Sequence, residues 1–589
     1  MSEWNRILIY IKKNKFILFV CLFFALIFVS ATTLIPLFTG FCVNEIDKVI
    51  RHIYPSLDKS NFFIYLIVNA SLIVFAIIFQ FTFDYLINNT MEKISKQLKD
   101  DVFEKLNRVA IKYIDSKSHG DLVSIIINDV ENINNGLISA FKQLYQGSIQ
   151  IIITLIIMFI YNWMLALVVI VLTPLTFIIT YTIAKKGKES FKKQAKIVGE
   201  MSGTVLESFN NIDILKSFNY EEQSLNKYQI QNNELYKAGQ KAQFVSSFTN
   251  PFTRLINYIV YASVGLLAAT LCVLAKNNEN NILLGASCSV GTIVTFIQFS
   301  NQFAKPFNEI SSCVTELQTA TSSLKRINKL LNEENDIDEG KIDNIDNIDN
   351  IAFNHLYFSY DPNKSLIQDF SLNIKKGMKV AIVGPTGCGK TTLINLLLRF
   401  YDPLKGSINL NDVSSFDLTK KALRNNFTMV LQDTWIFSGT VRDNLSYGKA
   451  DASDEEIIEA CKKADCYDFI KHLGNGLDTY ISDTSGLSAG QKQLISIVRI
   501  ILKLSPIVIL DEATSNIDTR TEIKISKAFD KIMEGKTSFV IAHRLSTIKQ
   551  SDLIIVMKDG KIIETGDHKT LLNKRGFYYE LYNAQYVNL

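Results

Sequence analysis

The stretch Gly384-Pro385-Thr386-Gly387-Cys388-Gly389-Lys390-Thr391-Thr392 is the most informative one in this 589-residue chain. It fills every fixed position of the phosphate-loop pattern G-x-x-x-x-G-K-[ST]. The apolar run KVAIVG leads into it and the helical pattern TTLINLLLRF follows it, so the loop is predicted to join a strand to a helix. Such a loop closes its backbone N–H groups around phosphate oxygens at a helix N-terminus, with Lys390 reaching the β and γ phosphates and the Thr391 hydroxyl holding Mg²⁺.

A second motif is the apolar strand pattern Ile507-Val508-Ile509-Leu510 that ends in Asp511 and Glu512. Asp511 is predicted to support the Mg²⁺ shell, and Glu512 to polarise an attacking water. Alone, such an acidic pair is as often a solvated strand end, but beside a phosphate loop it indicates catalysis. Cys388 is interpreted as a filler of the loop, not as a nucleophile.

The region around these motifs has the pattern of an α/β domain. Short β-rich runs such as MKVAIVG, SPIVILDE, SFVIAH and DLIIVM alternate with helical patterns. This alternation is typical of a largely parallel sheet with helices on its faces.

The first half of the chain has a different composition. Residues 16–38 form an uncharged run of 23 residues, about the length that crosses a hydrocarbon layer of roughly 30 Å. A cleaved signal peptide is the rival reading, but the run is too long and no small-residue cleavage site follows it. Five further runs bring the predicted number of membrane spans to six: residues 62–83, 143–161, 163–184, 255–275 and 283–304.

The sixth predicted span is more polar than the others, with Gln298, Asn301 and Gln302 in its last seven residues. Exposing these amides to lipid is costly, so they are predicted to face the bundle interior or a water-filled cavity, as the wall of a pathway. The open alternative is that they only form hydrogen bonds with neighbouring helices.

Two long connections, between spans two and three and between spans four and five, carry amphipathic helical patterns rich in Lys and Arg. Positively charged connections tend to lie on the cytoplasmic side, which places both termini there as well. Helices two to five are therefore expected to project well beyond the bilayer. The basic residues are Lys93, Lys96, Lys99, Lys105, Arg108 and Lys112 in one connection, and Lys185, Lys186, Lys188, Lys192 and Lys193 in the other.

A change in composition indicates a boundary between two domains. An acidic, Asn-rich segment separates a membrane domain at residues 1–325 from a soluble domain at residues 351–589, and residues 326–350 are predicted to be the linker.

With 62 Lys and Arg against 58 Asp and Glu, the net charge of +4 is too balanced for a protein that binds nucleic acid by counterion release. The eight cysteines lack metal-ligand spacing and are read as reduced thiols.

The segment Leu487-Ser488-Ala489-Gly490-Gln491, between the two motifs, resembles the signature of ATP-binding cassette (ABC) proteins. The order of the remaining pieces is also similar to that family: Tyr360, the phosphate loop, Gln432, Ser515-Asn516-Ile517-Asp518 and His543. With the predicted spans, the chain resembles an ABC exporter half-transporter of the multidrug or lipid type. The fold this implies is an α-helical six-span transmembrane domain fused to an α/β phosphate-loop ATPase domain.

The resemblance implies a role for each motif residue, with ATP and Mg²⁺ as cofactors. The phosphate loop holds the phosphates, Tyr360 stacks on adenine, and Gln432 contacts Mg²⁺ and the attacking water. His543 holds the γ-phosphate and Glu512 is the general base. Structural alternatives remain open for three of them: Tyr360 as a core residue, Gln432 as a surface amide, and His543 as a satisfied strand-end histidine.

The resemblance also implies a partner, because Ser488, Gly490 and Gln491 would close on ATP held by a second half-transporter in the same bilayer. Ala489 stands where the family usually has glycine, while Glu512 and His543 are intact. This combination favours a heterodimer over a homodimer.

The apolar, aromatic membrane half favours hydrophobic or amphipathic cargo such as drugs or lipids, exported by alternating access. Lipid flippase and peptide exporter are the alternatives, although no protease domain for processing a peptide precedes the first span. A regulatory ABC ATPase is a further alternative.

Overall fold

A computed structural model of the chain describes all residues except 1–2, 51–57, 278–288, 362–363, 431–433, 483–485, 512–517, 542–544 and 585–589. The chain divides into two compact units. One consists of residues 1–108 and 117–333, and the other of residues 109–116 and 334–589.

The first half of the chain is helical. Two π-helical segments, Ile125–Asp129 and Ala140–Gln146, interrupt the helices that lead into the third predicted span. The helices are α1 (Asn5–Lys13), α2 (Lys15–Ile50), α3 (Lys59–Arg108), α4 (Ile111–Asp115), α5 (His119–Ser124), α6 (Val130–Ser139), α7 (Gly147–Tyr161), α8 (Trp163–Asn210), α9 (Ile212–Ser217), α10 (Glu221–Ser247), α11 (Thr249–Asn277) and α12 (Val290–Leu331). Of these, α4 groups with the second unit.

Among the residues that the structure describes, five helical stretches are long and apolar enough to cross a membrane: Lys15–Ile50, Lys59–Arg108, His119–Tyr161, Trp163–Asn210 and Glu221–Leu271. They contain the first five predicted spans. The sixth predicted span, residues 283–304, begins outside the described residues and continues in α12, which is not one of the five. The helical membrane domain is therefore confirmed. Of the six predicted spans, the first five lie in helices with the length and composition of a membrane span, and the sixth stays a prediction.

The lengths of α3 and α8 follow from uninterrupted helical patterns that continue past each apolar run. The two helices have 50 and 48 residues. At about 1.5 Å per residue each is roughly 70 to 75 Å long, more than twice a hydrocarbon layer of about 30 Å. A tight turn at Asn162 joins α7 to α8, and the Asn162 side chain accepts hydrogen bonds from the backbone N–H groups of Met164 and Leu165.

The polar groups of α12 form hydrogen bonds with neighbouring helices, as the alternative reading of the sixth span proposed. The Gln302 side-chain amide donates to the Thr32 carbonyl at 2.9 Å. The Thr295 hydroxyl donates to the Pro36 carbonyl at 3.1 Å. These bonds tie α12 to α2, and the prediction that α12 lines a pathway stays a prediction.

The second unit contains twelve strands among its described residues: β1 (Asn350–Phe358), β2 (Ile367–Lys375), β3 (Lys379–Val383), β4 (Lys405–Leu410), β5 (Val413–Ser414), β6 (Phe427–Val430), β7 (Gly439–Thr440), β8 (Tyr480–Ile481), β9 (Ile507–Asp511), β10 (Thr537–Ile541), β11 (Leu553–Lys558) and β12 (Lys561–Gly566). Its helices after α12 are α13 (Lys390–Leu397), α14 (Lys420–Asn425), α15 (Val441–Ser446), α16 (Asp454–Lys463), α17 (Tyr467–Lys471), α18 (Ala489–Lys503), α19 (Thr519–Met533), α20 (Leu545–Lys549), α21 (His568–Lys574) and α22 (Phe577–Tyr582).

The main sheet has the order β12-β11-β3-β10-β9-β6 and is parallel except for the edge strand β12. This confirms the predicted α/β domain with a largely parallel sheet. The sequence did not predict the second, antiparallel sheet, which has the order β2-β1-β4-β5.

Both faces of the main sheet are buried, because successive side chains of a strand point to opposite faces. On β9, Val508 and Leu510 pack in one hydrophobic core together with residues of α16, α18 and α19. Ile507 and Ile509 pack in the other, together with residues of the antiparallel sheet, α13 and α14. The continuous apolar runs seen in the sequence are therefore central strands.

Candidate functional site

The phosphate loop connects β3 to α13, as predicted, and its backbone requires glycine at particular points. Gly389 has φ +103°, and a Cβ there would lie 2.7 Å from the Cδ1 atom of Ile367. At Gly384 an added Cβ would lie 2.2 Å from the Met557 carbonyl oxygen. Both positions leave room only for a hydrogen, so the backbone forms a cradle that fits a phosphate group at the N-terminus of α13.

Lys390 is the first residue of α13, and its ammonium group lies over the loop. It donates to the carbonyl oxygens of Gly384 at 2.8 Å and Pro385 at 3.0 Å. These bonds hold the positive charge where phosphate oxygens would lie. Thr391 is exposed whereas Thr392 is buried, so Thr391 is the hydroxyl that can reach a metal ion.

The Cys388 thiol is buried within the loop, and its sulfur lies 4.0 Å from the Lys390 ammonium nitrogen. Burial raises the pKa of Cys388, and the nearby Lys390 charge only partly opposes that shift. A protonated, buried thiol is a poor nucleophile, which agrees with the interpretation of Cys388 as a filler.

The sheet register brings the end of β9 close to the phosphate loop. In β10, Ile541 pairs with Asp511 of β9 on one side and with Ile382 of β3 on the other. Asp511 is therefore two strands from the start of the loop, at the same carboxyl edge of the sheet, with 9% of its surface exposed. The predicted base Glu512, the predicted His543 and the predicted Gln432 lie outside the described residues.

Tyr360 follows β1 and presents a half-exposed ring, with 46% of the residue accessible. The ring packs edge-on against Phe358 and Tyr401, with both centroid distances at 4.9 Å. Its hydroxyl accepts a hydrogen bond from the Asn395 side chain at 3.2 Å. The exposure argues against the alternative of a core residue, and it leaves part of the ring accessible for stacking on a base.

Sequence reasoning missed two supports of this ring, Asn395 and Tyr401. Asn395 lies one helical turn after Thr391 on α13, so it ties Tyr360 to the phosphate-loop helix. The Tyr401 hydroxyl donates to the Asp115 carboxylate, and burial together with that bond raises the pKa of Tyr401. The i, i+4 spacing from Thr391 to Asn395 is a signal that was available in the sequence.

The signature segment forms the N-terminus of α18. The Ser488 hydroxyl accepts a hydrogen bond from the Gln491 backbone N–H at 3.2 Å, and the Gln491 side chain accepts one from the Ser488 N–H at 2.9 Å. This capping box fixes the first turn of the helix. Ser488 and Ala489 are exposed whereas Gly490 is buried. Ala489 is already helical, so alanine fits there without strain.

No group of three or more His, Cys, Asp or Glu side chains that could hold a metal ion is found among the residues the structure describes. The Thr391 hydroxyl and the Asp511 carboxylate are oxygen ligands of the kind that Mg²⁺ takes, usually together with substrate phosphates. The donor set therefore fits a magnesium ion that arrives with a nucleotide.

Both halves of the chain match models of known families. Residues 18–307 match the model described as "ABC transporter transmembrane region". Residues 367–515 match the model described as "ABC transporter".

Several characterised and uncharacterised proteins are similar along most of the chain. A "Fatty acid ABC transporter ATP-binding/permease protein" of Mycobacterium bovis is 34% identical over 85% of this chain and 78% of its own length. An "ATP-dependent lipid A-core flippase" of Desulfotalea psychrophila is 32% identical over 90% of this chain and 91% of its own. The solved structure of a bacterial Atm1-family ABC exporter with ATP bound shares the fold, with a TM-score of 0.77, 23% identity and coverage of 97% and 98% of the two chains.

Proposed function

Since this chain belongs to the ABC transporters and is an ATP-hydrolysing half-transporter of the exporter type, we propose that it moves amphipathic, lipid-like molecules out of the cytoplasmic side of a membrane. The observation that carries the proposal is that a single chain contains both the glycine cradle under Lys390 and five described helices able to cross a membrane. ATP binding in the second unit would thereby be coupled to rearrangement of the first.

In the proposed reaction the residues of the nucleotide site have separate tasks. Lys390 exchanges its bonds to loop carbonyls for bonds to phosphate oxygens, and Thr391 and Asp511 hold Mg²⁺. Tyr360 stacks on the adenine. Glu512 takes a proton from the attacking water while His543 orients the γ-phosphate.

Gln432 is proposed to contact the same Mg²⁺ and water, following the resemblance of its segment to the family pattern. The metal neutralises phosphate charge when bound. The exposed Thr391 and the nearly buried Asp511 support this assignment, because one hydroxyl and one carboxylate suffice when phosphates supply the remaining ligands.

We also propose that the functional unit is a dimer of half-transporters, with Ser488 closing on ATP held by the partner. Ser488 is exposed at the start of α18, where a helix N-terminus favours an anion. From the end of α8 to the end of α9, the large apolar side chains of Phe209, Ile214 and Phe218 are exposed by 71%, 58% and 75%. Exposed apolar groups of this size are typical of a protein interface.

A heterodimer is favoured because the altered signature coexists with Glu512 and His543 in one chain. The helical conformation of Ala489 weakens this argument, since alanine is accommodated there without strain. Copurification from the native host separates the two assemblies, and recovery of homodimers only would overturn the preference.

Cytoplasmic location of both termini and of the second unit is proposed from the basic connections. The relatives named for fatty acids and for lipid A-core support a lipid-like cargo over a peptide. The apolar first unit supports it as well.

The test is the variant Glu512→Gln in the full chain, purified with its partner and placed in proteoliposomes. We expect ATP to bind and to remain unhydrolysed, with no accumulation of labelled lipid or hydrophobic dye. Glu534→Gln, at an exposed helix end, is the matched control and should hydrolyse and transport like the native protein. Persisting ATPase activity in Glu512→Gln would remove Glu512 as the base, and hydrolysis by native protein without accumulation would favour a regulatory ATPase.

A further inference from the structure

A cavity of about 340 Å³ lies within the first unit, between α2, α3, α12 and the junction of the π-helical segment Ala140–Gln146 with α7. Its volume is at the lower end of the range of about 300 to 1,000 Å³ that small-molecule sites occupy. It therefore suits a single chain better than a two-chain lipid.

Part of the cavity lining is polar, which is costly in a domain that crosses a membrane. Four glutamines and one lysine contribute to it: Gln80, Gln146, Gln150, Gln302 and Lys305. The Gln302 side-chain NH₂ is used, because it donates to the Thr32 carbonyl. The Gln302 Oε1 atom is buried and receives no hydrogen bond from the residues the structure describes. A buried acceptor of this kind requires a donor from a ligand or from water.

The backbone geometry concentrates these groups. The π-helical turn ends at Gln146, and such turns are frequent at functional sites. Gly147, the next residue, packs so closely on Pro306 that an added Cβ would lie 3.2 Å from the proline Cβ. This close approach of α7 and α12 brings Gln146 and Lys305 to the same edge of the cavity.

Most of the lining contributed by α2 and α3 is apolar and forms the apolar wall of the cavity. It consists of Phe28 and Ile35 of α2 and Ile73, Ala76 and Ile77 of α3. Phe28 and Ala76 are buried and belong to one hydrophobic core, whereas Ile73 and Ile77 are exposed by 42% and 60%. An alkyl chain on this wall would cover the exposed isoleucines.

One positive group at the cavity, Lys305, is held only in a long, exposed ion pair. Lys142 and Asp84 neutralise each other at 2.9 Å. Lys305 is 68% exposed at its side chain, and its ammonium lies 3.8 Å from the Glu309 carboxylate, too far for a hydrogen bond. An anionic head group can therefore reach Lys305 in competition with Glu309.

We propose that this cavity binds a single-chain amphiphile with an anionic head. The head contacts Lys305 and the glutamine amides, and the alkyl chain lies on the apolar wall formed by α2 and α3. A phosphate monoester in its monoanionic form keeps one hydroxyl, which also supplies the donor that Gln302 Oε1 lacks, whereas a carboxylate leaves that atom to water. The inference rests on the proposed export function, since it names the substrate class of the membrane unit.

The test is equilibrium binding to the full chain in nanodiscs of zwitterionic lipid without nucleotide, with protein-free nanodiscs subtracted. The probes are labelled dodecanoate, dodecyl phosphate, dodecanol and dodecyltrimethylammonium. We expect both anions to bind more tightly than the neutral and cationic probes. Tighter binding of dodecanoate would identify a carboxylate as the source of the head group, and tighter binding of dodecyl phosphate a phosphate.

Lys305→Met should weaken binding of the anions about tenfold or more, the size of one charged hydrogen bond, and leave dodecanol unchanged. Lys305→Arg should retain binding, and Lys96→Met, an exposed lysine of α3 outside the cavity, is the matched control. Gln146→Leu is a second variant that keeps the lysine and should also weaken anion binding.

Equal affinity for all four probes, or unchanged anion binding in both Lys305→Met and Gln146→Leu, would overturn the proposal. Because the assay contains no nucleotide, its result is independent of hydrolysis. Failure of the export function would instead appear as ATP hydrolysis by the native protein in proteoliposomes without accumulation of labelled lipid or dye.

Discussion

Replacing Gly389 by alanine tests the phosphate cradle in the most direct way. At φ +103° an L-residue is strained, and a left-handed conformation costs about 1 to 2 kcal/mol. The added Cβ would also lie 2.7 Å from Ile367 Cδ1, and overpacking of this kind costs about 1 to 3 kcal/mol. The two contributions sum to about 2 to 5 kcal/mol, which the loop must supply to adopt the cradle when nucleotide binds.

Gly387→Ala is the matched control for the backbone contribution. Gly387 has φ +83°, and a Cβ there would meet no atom within 4 Å. We therefore expect Gly387→Ala to weaken ATP binding by about 5- to 30-fold, and Gly389→Ala by more than about 30-fold. The assay is titration of the full chain with a fluorescent ATP analogue in the absence of turnover.

A double-mutant cycle isolates the contact with Ile367. Ile367→Val removes the Cδ1 methyl group, so in the Gly389→Ala background it should restore ATP affinity by about fivefold or more, although alone it weakens the β2 core slightly. Equal losses in Gly387→Ala and Gly389→Ala, together with no rescue by Ile367→Val, would refute the steric reasoning.

Two other predictions concern neighbouring side chains. Tyr360→Ala should weaken ATP affinity about 2- to 10-fold and change kcat little, because stacking contributes about 0.5 to 1.5 kcal/mol. A large fall in kcat with unchanged affinity would contradict the stacking role. Cys388→Ala should keep ATPase activity within about tenfold, whereas removal of a nucleophile costs more than about 10³-fold. Since burial raises the pKa of Cys388, alkylation should be slower than that of a free thiol and should accelerate only above the ordinary thiol pKa, which a maleimide reaction followed across pH would show.

The local patterns of the sequence predicted the elements that carry this function. A glycine-rich loop between an apolar run and a helical pattern predicted β3, the loop and α13, because the conformation of such a segment depends on its own residues. The uncharged runs predicted five of the helices that can cross a membrane, for the same reason. The turn at Asn162 and the capping box at Ser488 also have local causes. In each, a side chain forms a hydrogen bond with the backbone N–H of a residue at most three positions away.

The tertiary structure alone decided which of these elements meet. That Asp511 lies at the same sheet edge as the phosphate loop depends on β10 pairing between β3 and β9, and Asn395 supports Tyr360 through a contact between α13 and the residues after β1. The cavity near Lys305 depends on the approach of Gly147 to Pro306, which are far apart in the chain. Contacts of this kind arise from packing between distant segments, and a periodic pattern within one segment carries no information about its partner.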